Sequence, residues 1–123
     1  MFIFNSPAIP EKTWKLYLKS KNEMLNIYYE DTEPEDRHTV FGITEYATST
    51  VYIAKDIESF LLLKILRHEL MHVYLWDLEK NGKRYTEDEI TEILEVAAPL
   101  ICKIADELAF KIEKNHMSKC LDI

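Results

Sequence analysis

Apolar positions in the second half of the chain recur at helical spacing. Asp56 suits an N-cap, and the run from about Ile57 to Lys80 predicts one long helix that Asn81-Gly82 stops. Thr86, with Glu89 three residues on, has the form of a capping box, and it opens a second long helix expected over about 86–115. The core stripe of that helix reads Ile90, Ile93, Leu94, Ala97, Ile101, Ile104, Leu108 and Ile112. Pro99 lies inside it and is expected to kink or break it, and the tail from His116 to Ile123 is expected to fray.

The first half has a shorter period. Thr50 to Ala54 (TVYIA) alternates as a half-buried strand should, and Thr39 to Tyr46 precedes it, with Ala47, Thr48 and Ser49 as the turn. Met24 to Tyr29 (MLNIYY) reads as a further strand. Pro10 and Glu11 suit the first turn of a short helix with Trp14, Leu16, Tyr17 and Leu18 on its apolar side. Glu30 to Arg37 is an acidic loop broken by Pro34. The expected fold is therefore α+β: a small three-stranded, mainly antiparallel sheet packed on two long helices, with a short N-terminal helix, all in one domain over 1–123.

Composition narrows the class. Of the 123 residues, 47% are hydrophobic and 30% charged, which supports a packed core and argues against disorder. Only 2 Gly and 4 Pro argue against a loop-rich β-sandwich. No apolar run reaches membrane-spanning length, and the first residues lack the basic start and long apolar stretch of a secretory signal. Cys102 and Cys120 form no disulfide framework, in keeping with a cytoplasmic location. The net charge of −7 repels phosphates, so neither nucleic acid nor an anionic membrane is the expected partner.

Residues 68–72 read His-Glu-Leu-Met-His, the HExxH pattern, on the first long helix. Positions i and i+4 lie about 40° apart around a helix, so both imidazoles project to one side and two ring nitrogens can grip one Zn²⁺. Glu69 is rotated by about 100°, beside the metal, where it can take a proton from water. Leu61, Ile65, His68, His72 and Leu75 share a stripe on a helix that is apolar almost all round, so the histidines are expected in the interior, where a metal would offset the cost of burying them. The plainer alternative is a pair of buried histidines bonded to backbone and to Glu69. A catalytic zinc also needs a third ligand. His116 sits near the fraying end and His38 in or beside the acidic loop. Among Glu87, Asp88, Glu89, Glu92 and Glu95, Asp88 and Glu92 point away from the core stripe. Glu87 and Glu89 flank it on opposite sides, and spacing leaves both open.

The stretch from Gly42 to about Leu100 resembles the ImmA/IrrE-like metallopeptidases. It has a Gly-containing strand (Gly42) and a strand with Val51 and Ile53. The helix carrying Leu66-Arg67-His68-Glu69-Leu70-Met71-His72 follows, and then a helix in which Glu87, Ile90, Thr91, Ile93 and Leu94 lie on the family's Glu-x-x-Ala-Asn/Asp-x-Phe-Ala pattern. The resemblance implies a minimal zincin-like, gluzincin-like fold with Zn²⁺ on His68, His72 and Glu87, and Glu69 as general base. It also implies hydrolysis of a peptide bond in a protein substrate, such as a repressor of a phage or mobile element, by a short single-domain member. The alternative is a protein of the same fold, weak or inactive in hydrolysis, that acts by binding a repressor or antitoxin. Tyr46, Tyr85 and His38 are candidate donors to an oxyanion, whereas Tyr74 and Trp76 are expected in the core. Thr50–Ala54 is expected at a sheet edge, where an extended substrate could add as a strand.

Overall fold

The computed structural model describes residues 1–28, 40–79 and 85–121, with the side chains of the last helix described through Asn115. Among these residues four strands and three helices follow one another: β1 (Phe2–Asn5), β2 (Thr13–Lys19), α1 (Lys21–Tyr28), β3 (Gly42–Glu45), β4 (Thr50–Ala54), α2 (Ser59–Glu79) and α3 (Glu87–Leu121). The α+β class and the two long helices agree with the sequence expectation. The sheet differs: it has four strands in the order β1-β2-β4-β3, with β2 and β4 parallel and the other pairs antiparallel.

Two N-terminal elements exchange type relative to expectation. The segment read as a short helix is β2. Trp14 and Leu16 are buried while Thr13 and Lys15 are exposed, a period of two that favours a strand. The segment read as a strand, Met24 onward, is α1. Ser20 and Glu23 make a reciprocal capping box there: Glu23 N–H donates to Ser20 Oγ, and Ser20 N–H donates to Glu23 Oε1, each at 3.2 Å. That pair of bonds lowers the Glu23 pKa, the Ser20 backbone amide contributing most. Once α1 begins, Met24 becomes its buried residue. The acidic loop lies outside the described residues, as do Asn81 and Gly82.

The β3–β4 hairpin turns at Tyr46–Ser49, with Ser49 at φ 50° and its N–H donating to the Tyr46 carbonyl at 3.2 Å. β4 is interior, between β2 and β3, so the edge strands are β1 and β3 rather than Thr50–Ala54. Helix α2 starts later than expected. Asp56 has φ 57° and does not cap it, and the first helical bond runs from Leu62 N–H to the Glu58 carbonyl. Helix α3 opens on the expected box: Glu89 N–H donates to Thr86 Oγ1 at 3.2 Å and Thr86 Oγ1 donates to Glu89 Oε1 at 3.0 Å. It then runs through Pro99 as one helix and continues to Leu121. Ala97, Ile101, Leu108 and Ile112 of the expected stripe are buried, joined by Ala105 and Ala109.

The core lies between one sheet face and the helix pair. Phe4, Trp14, Leu16, Val51 and Ile53 meet Leu62, Leu66, Leu70 and Val73 of α2 and the alanine-rich face of α3. One polar cluster crosses this layer. Asp77, fully buried near the end of α2, accepts from Trp14 Nε1 at 2.8 Å and pairs with Lys12 Nζ. Lys12 also sits 4.9 Å from the Trp14 ring centre. This clamp ties the C-terminal half of α2 to the start of β2 across 65 residues of sequence. Removing one partner of a buried pair strands the other groups. Asp77→Ala is expected to cost about 3 kcal/mol of unfolding free energy, measured by urea denaturation. A loss within experimental error would mean that the clamp is not holding α2.

Candidate active site

Packing selects which side of α2 faces inward. Leu62, Leu66, Glu69, Leu70, Val73 and Asp77 are buried. The stripe of Leu61, Ile65, His68, His72 and Leu75 is half-buried or exposed, and both histidines face solvent. The expected interior position for the imidazoles is thus corrected: α2 is covered by the sheet and α3 on one side, and the flank carrying the histidines borders an open groove. Burial falls instead on Glu69, at 6% exposure.

The geometry around the motif is tight. His68 Nε2 and His72 Nε2 lie 3.1 Å apart, with the ring planes inclined at 76°. At this distance one ring nitrogen can donate to the other, the direction set by the tautomers. The same spacing tests the fit of a metal. Two nitrogens each about 2.05 Å from one Zn²⁺, with the separation seen here, subtend about 100° at the ion, close to a tetrahedral angle. The separation of the two nitrogens is thus compatible with a single shared ion.

Glu69 is fixed from the sheet side. Thr44 Oγ1 donates to Glu69 Oε1 at 2.9 Å. On the same face of β3, two residues back, Gly42 lies so close to α2 that a Cβ there would meet Ile65 Cγ2 at 2.8 Å and Glu69 Oε2 at 2.9 Å. One carboxylate oxygen is held by a hydroxyl and the other lies in a space that only a glycine leaves open. The sequence reading matched Gly42 to a family pattern but passed over Thr44. The available signal was strand periodicity, which puts i and i+2 on one face.

Of the remaining candidates, Tyr46 is near enough to Glu69 to feel its charge. Glu87 is the first residue of α3 and is exposed, and Glu89 is engaged in the capping box. Among the described residues, no group of three or more His, Cys, Asp or Glu side chains forms a metal-binding cluster. Tyr46, in the β3–β4 turn, stacks on Trp76 with ring centres 4.5 Å apart. Trp76 is 37% exposed, so it lies at the surface rather than filling the core. Burial, then the charges of Glu69 and Glu79, raise the Tyr46 pKa, so its hydroxyl keeps its proton at neutral pH. Tyr85 is half-buried beside the start of α3, and His38 lies outside the described residues.

The close approach at Gly42 makes a distinct prediction. Gly42→Ala is expected to displace the Glu69 carboxylate and cost about 1–2 kcal/mol of stability. Urea denaturation checks the cost, and a crystal structure of the variant checks the displacement. An unshifted Glu69 at unchanged stability would contradict it.

Comparison with known proteins gives one partial likeness. A protein named SprT-like from Anoxybacillus flavithermus is 38% identical over 60 residues, a stretch covering 48% of this chain and 38% of that protein. The chain thus matches well under half of that relative's length. No family model matches, and no solved structure matches.

Proposed function

We propose that this protein is a zinc-dependent metallopeptidase whose ion is held by His68 and His72 and whose general base is Glu69. The observation that carries the reading is the 3.1 Å approach of the two Nε2 atoms beside a carboxylate held by Thr44. The 60-residue match to a SprT-like protein points in the same direction without supplying a substrate. Glu87 is the proposed third ligand on the ImmA/IrrE-like pattern, and that likeness also suggests a regulatory protein, such as a repressor, as substrate.

When bound, zinc would lower the pKa of a water molecule and polarise the scissile carbonyl. The chain's own groups supply the rest. Glu69 takes a proton on Oε2, the oxygen not bonded to Thr44, and passes it to the departing amine. Thr44 holds the carboxylate in one orientation, so little reorganisation is needed when the proton moves. The protonated Tyr46 hydroxyl is the proposed donor to the developing oxyanion. Among the described residues β3 is an edge strand, and its outer backbone groups are the proposed partners of an extended peptide, the role expected of Thr50–Ala54.

A second reading has a specific observation behind it. Because no third His, Cys, Asp or Glu joins the imidazoles among the described residues, a protein that binds a partner without cleaving it fits the same fold. Two measurements separate the readings. Metal analysis of purified protein is expected to give about one zinc per chain, lost in His68→Ala. Glu69→Gln is expected to retain the zinc and lose peptide hydrolysis by at least about 100-fold. A Glu69→Gln variant as active as the parent would remove the peptidase reading. Glu87→Ala is expected to weaken zinc binding more than Glu89→Ala does, as read by competition with a chelator, and the reverse order would move the third ligand to Glu89.

A further inference from the structure

The solvent-facing side of α2 carries a row at intervals of four residues: Phe60, Lys64, His68, His72 and Trp76. All five are exposed, Phe60 at 69%. Each interval turns about 40° around the helix, so Phe60, Lys64 and His68 share one flank over about 12 Å while Trp76 lies about 160° round from Phe60. Edge strand β3 runs alongside in the same sense, with Gly42 against Ile65 and Glu69, and with Tyr46, just past its end, against Trp76. Along the N-terminal half of the row lies a groove of about 790 Å³ that Gly42 of β3 borders, lined on α2 by Phe60, Leu61, Lys64, Ile65 and Glu69, with His68 on its wall and Leu63, Arg67 and Met71 on the side away from β3.

The groove is chemically uneven. Toward the C-terminal end of α2 its lining stops at His68, Glu69 and Met71. Before the histidines it offers the bare Phe60 ring, the Leu61 and Ile65 side chains, and two cations, Lys64 and Arg67. Arg67 is 3.6 Å from Asp106. Lys64 forms no ion pair among the described residues, and it stands one helical turn, about 6 Å along the axis, before His68. In a chain of net charge −7, this wall is locally basic, and the carboxylate bordering it, Glu69, is buried and held by Thr44.

We propose that this groove selects an extended peptide segment with a carboxylate side chain opposite Lys64 and a large apolar side chain against Phe60. The inference rests on the peptidase reading for its purpose and on the groove alone for its chemistry. Backbone pairing with β3 fixes the segment without reading its sequence. Lys64 then favours Asp or Glu on the Phe60 side of the cleavage point and disfavours Lys or Arg there. Phe60 adds apolar contact area at the end of the groove.

The test uses the full-length Glu69→Gln protein, with and without equimolar zinc, and fluorescein-labelled nine-residue peptides. The peptides share an apolar frame and differ by Glu or Lys at one position. Fluorescence anisotropy at low salt is expected to show the Glu peptide binding about tenfold tighter. Lys64→Glu is expected to invert that order, while Lys111→Glu on α3, an equal change in net charge away from the groove, leaves it in place. Absence of charge preference, or a preference that survives Lys64→Glu, overturns the proposal. In a parallel assay with the parent protein, zinc-dependent hydrolysis of the same peptides indifferent to their charge overturns it too and leaves the peptidase reading standing. Charge-selective binding reversed by Lys64→Glu in a protein that takes up no zinc upholds the groove and removes the peptidase reading.

Discussion

The approach of β3 to α2 at Gly42 determines how the rest of the site is arranged. A side chain at position 42 would overlap both Ile65 and Glu69, so strand and helix meet at this distance only because the strand carries glycine there. With the two elements this close, Thr44 reaches Glu69 and holds it. Burying Glu69 settles the rotation of α2 about its axis. His68 is turned about 100° away from it, and His72 lies one turn beyond His68, so both imidazoles emerge on the flank that borders the groove. A buried carboxylate and two exposed imidazoles are consequences of one contact.

That rotation is secured at the other end of the helix by the Lys12–Trp14–Asp77 cluster. Asp77 lies two turns past Glu69 on the same buried face, so the two carboxylates anchor α2 to the sheet at two points, one beside His68 and the other past His72. Glu69 bonds to the edge strand β3, and Asp77 to Lys12 and Trp14 at the start of β2. Buried polar contacts of this kind add little net stability compared with an apolar replacement, but they penalise any other rotation of the helix. In a helix that is apolar on most of its surface, such penalties supply the distinction that hydrophobic burial alone would leave weak.

The parts of this arrangement that were legible in the sequence are those set by local rules. The HExxH spacing, the capping box at Thr86 and Glu89, the β3–β4 turn and the two long helices all follow from contacts within a few residues. The parts that were not legible depend on remote partners. Trp14 looked like one side of a helix until its alternation with Thr13 and Lys15 was set against pairing with β1 and β4. Met24 onward looked like a strand because its side chains are apolar, and the Ser20–Glu23 box that starts a helix there was overlooked. Asp77 carried no local signal, since its partners are more than 60 residues away. The histidines were placed inside because the helix is apolar nearly all round. Which flank stays uncovered is decided by the strand order, and that order depends on the parallel pairing of β2 with β4.

The central claim is that the two Nε2 atoms converge on one metal ion. X-ray absorption at the zinc edge of the metal-loaded protein measures this directly. The account predicts two imidazole nitrogens at about 2.0–2.1 Å with the remaining positions filled by oxygen. A first shell containing sulfur, a single imidazole, or oxygen alone would contradict it.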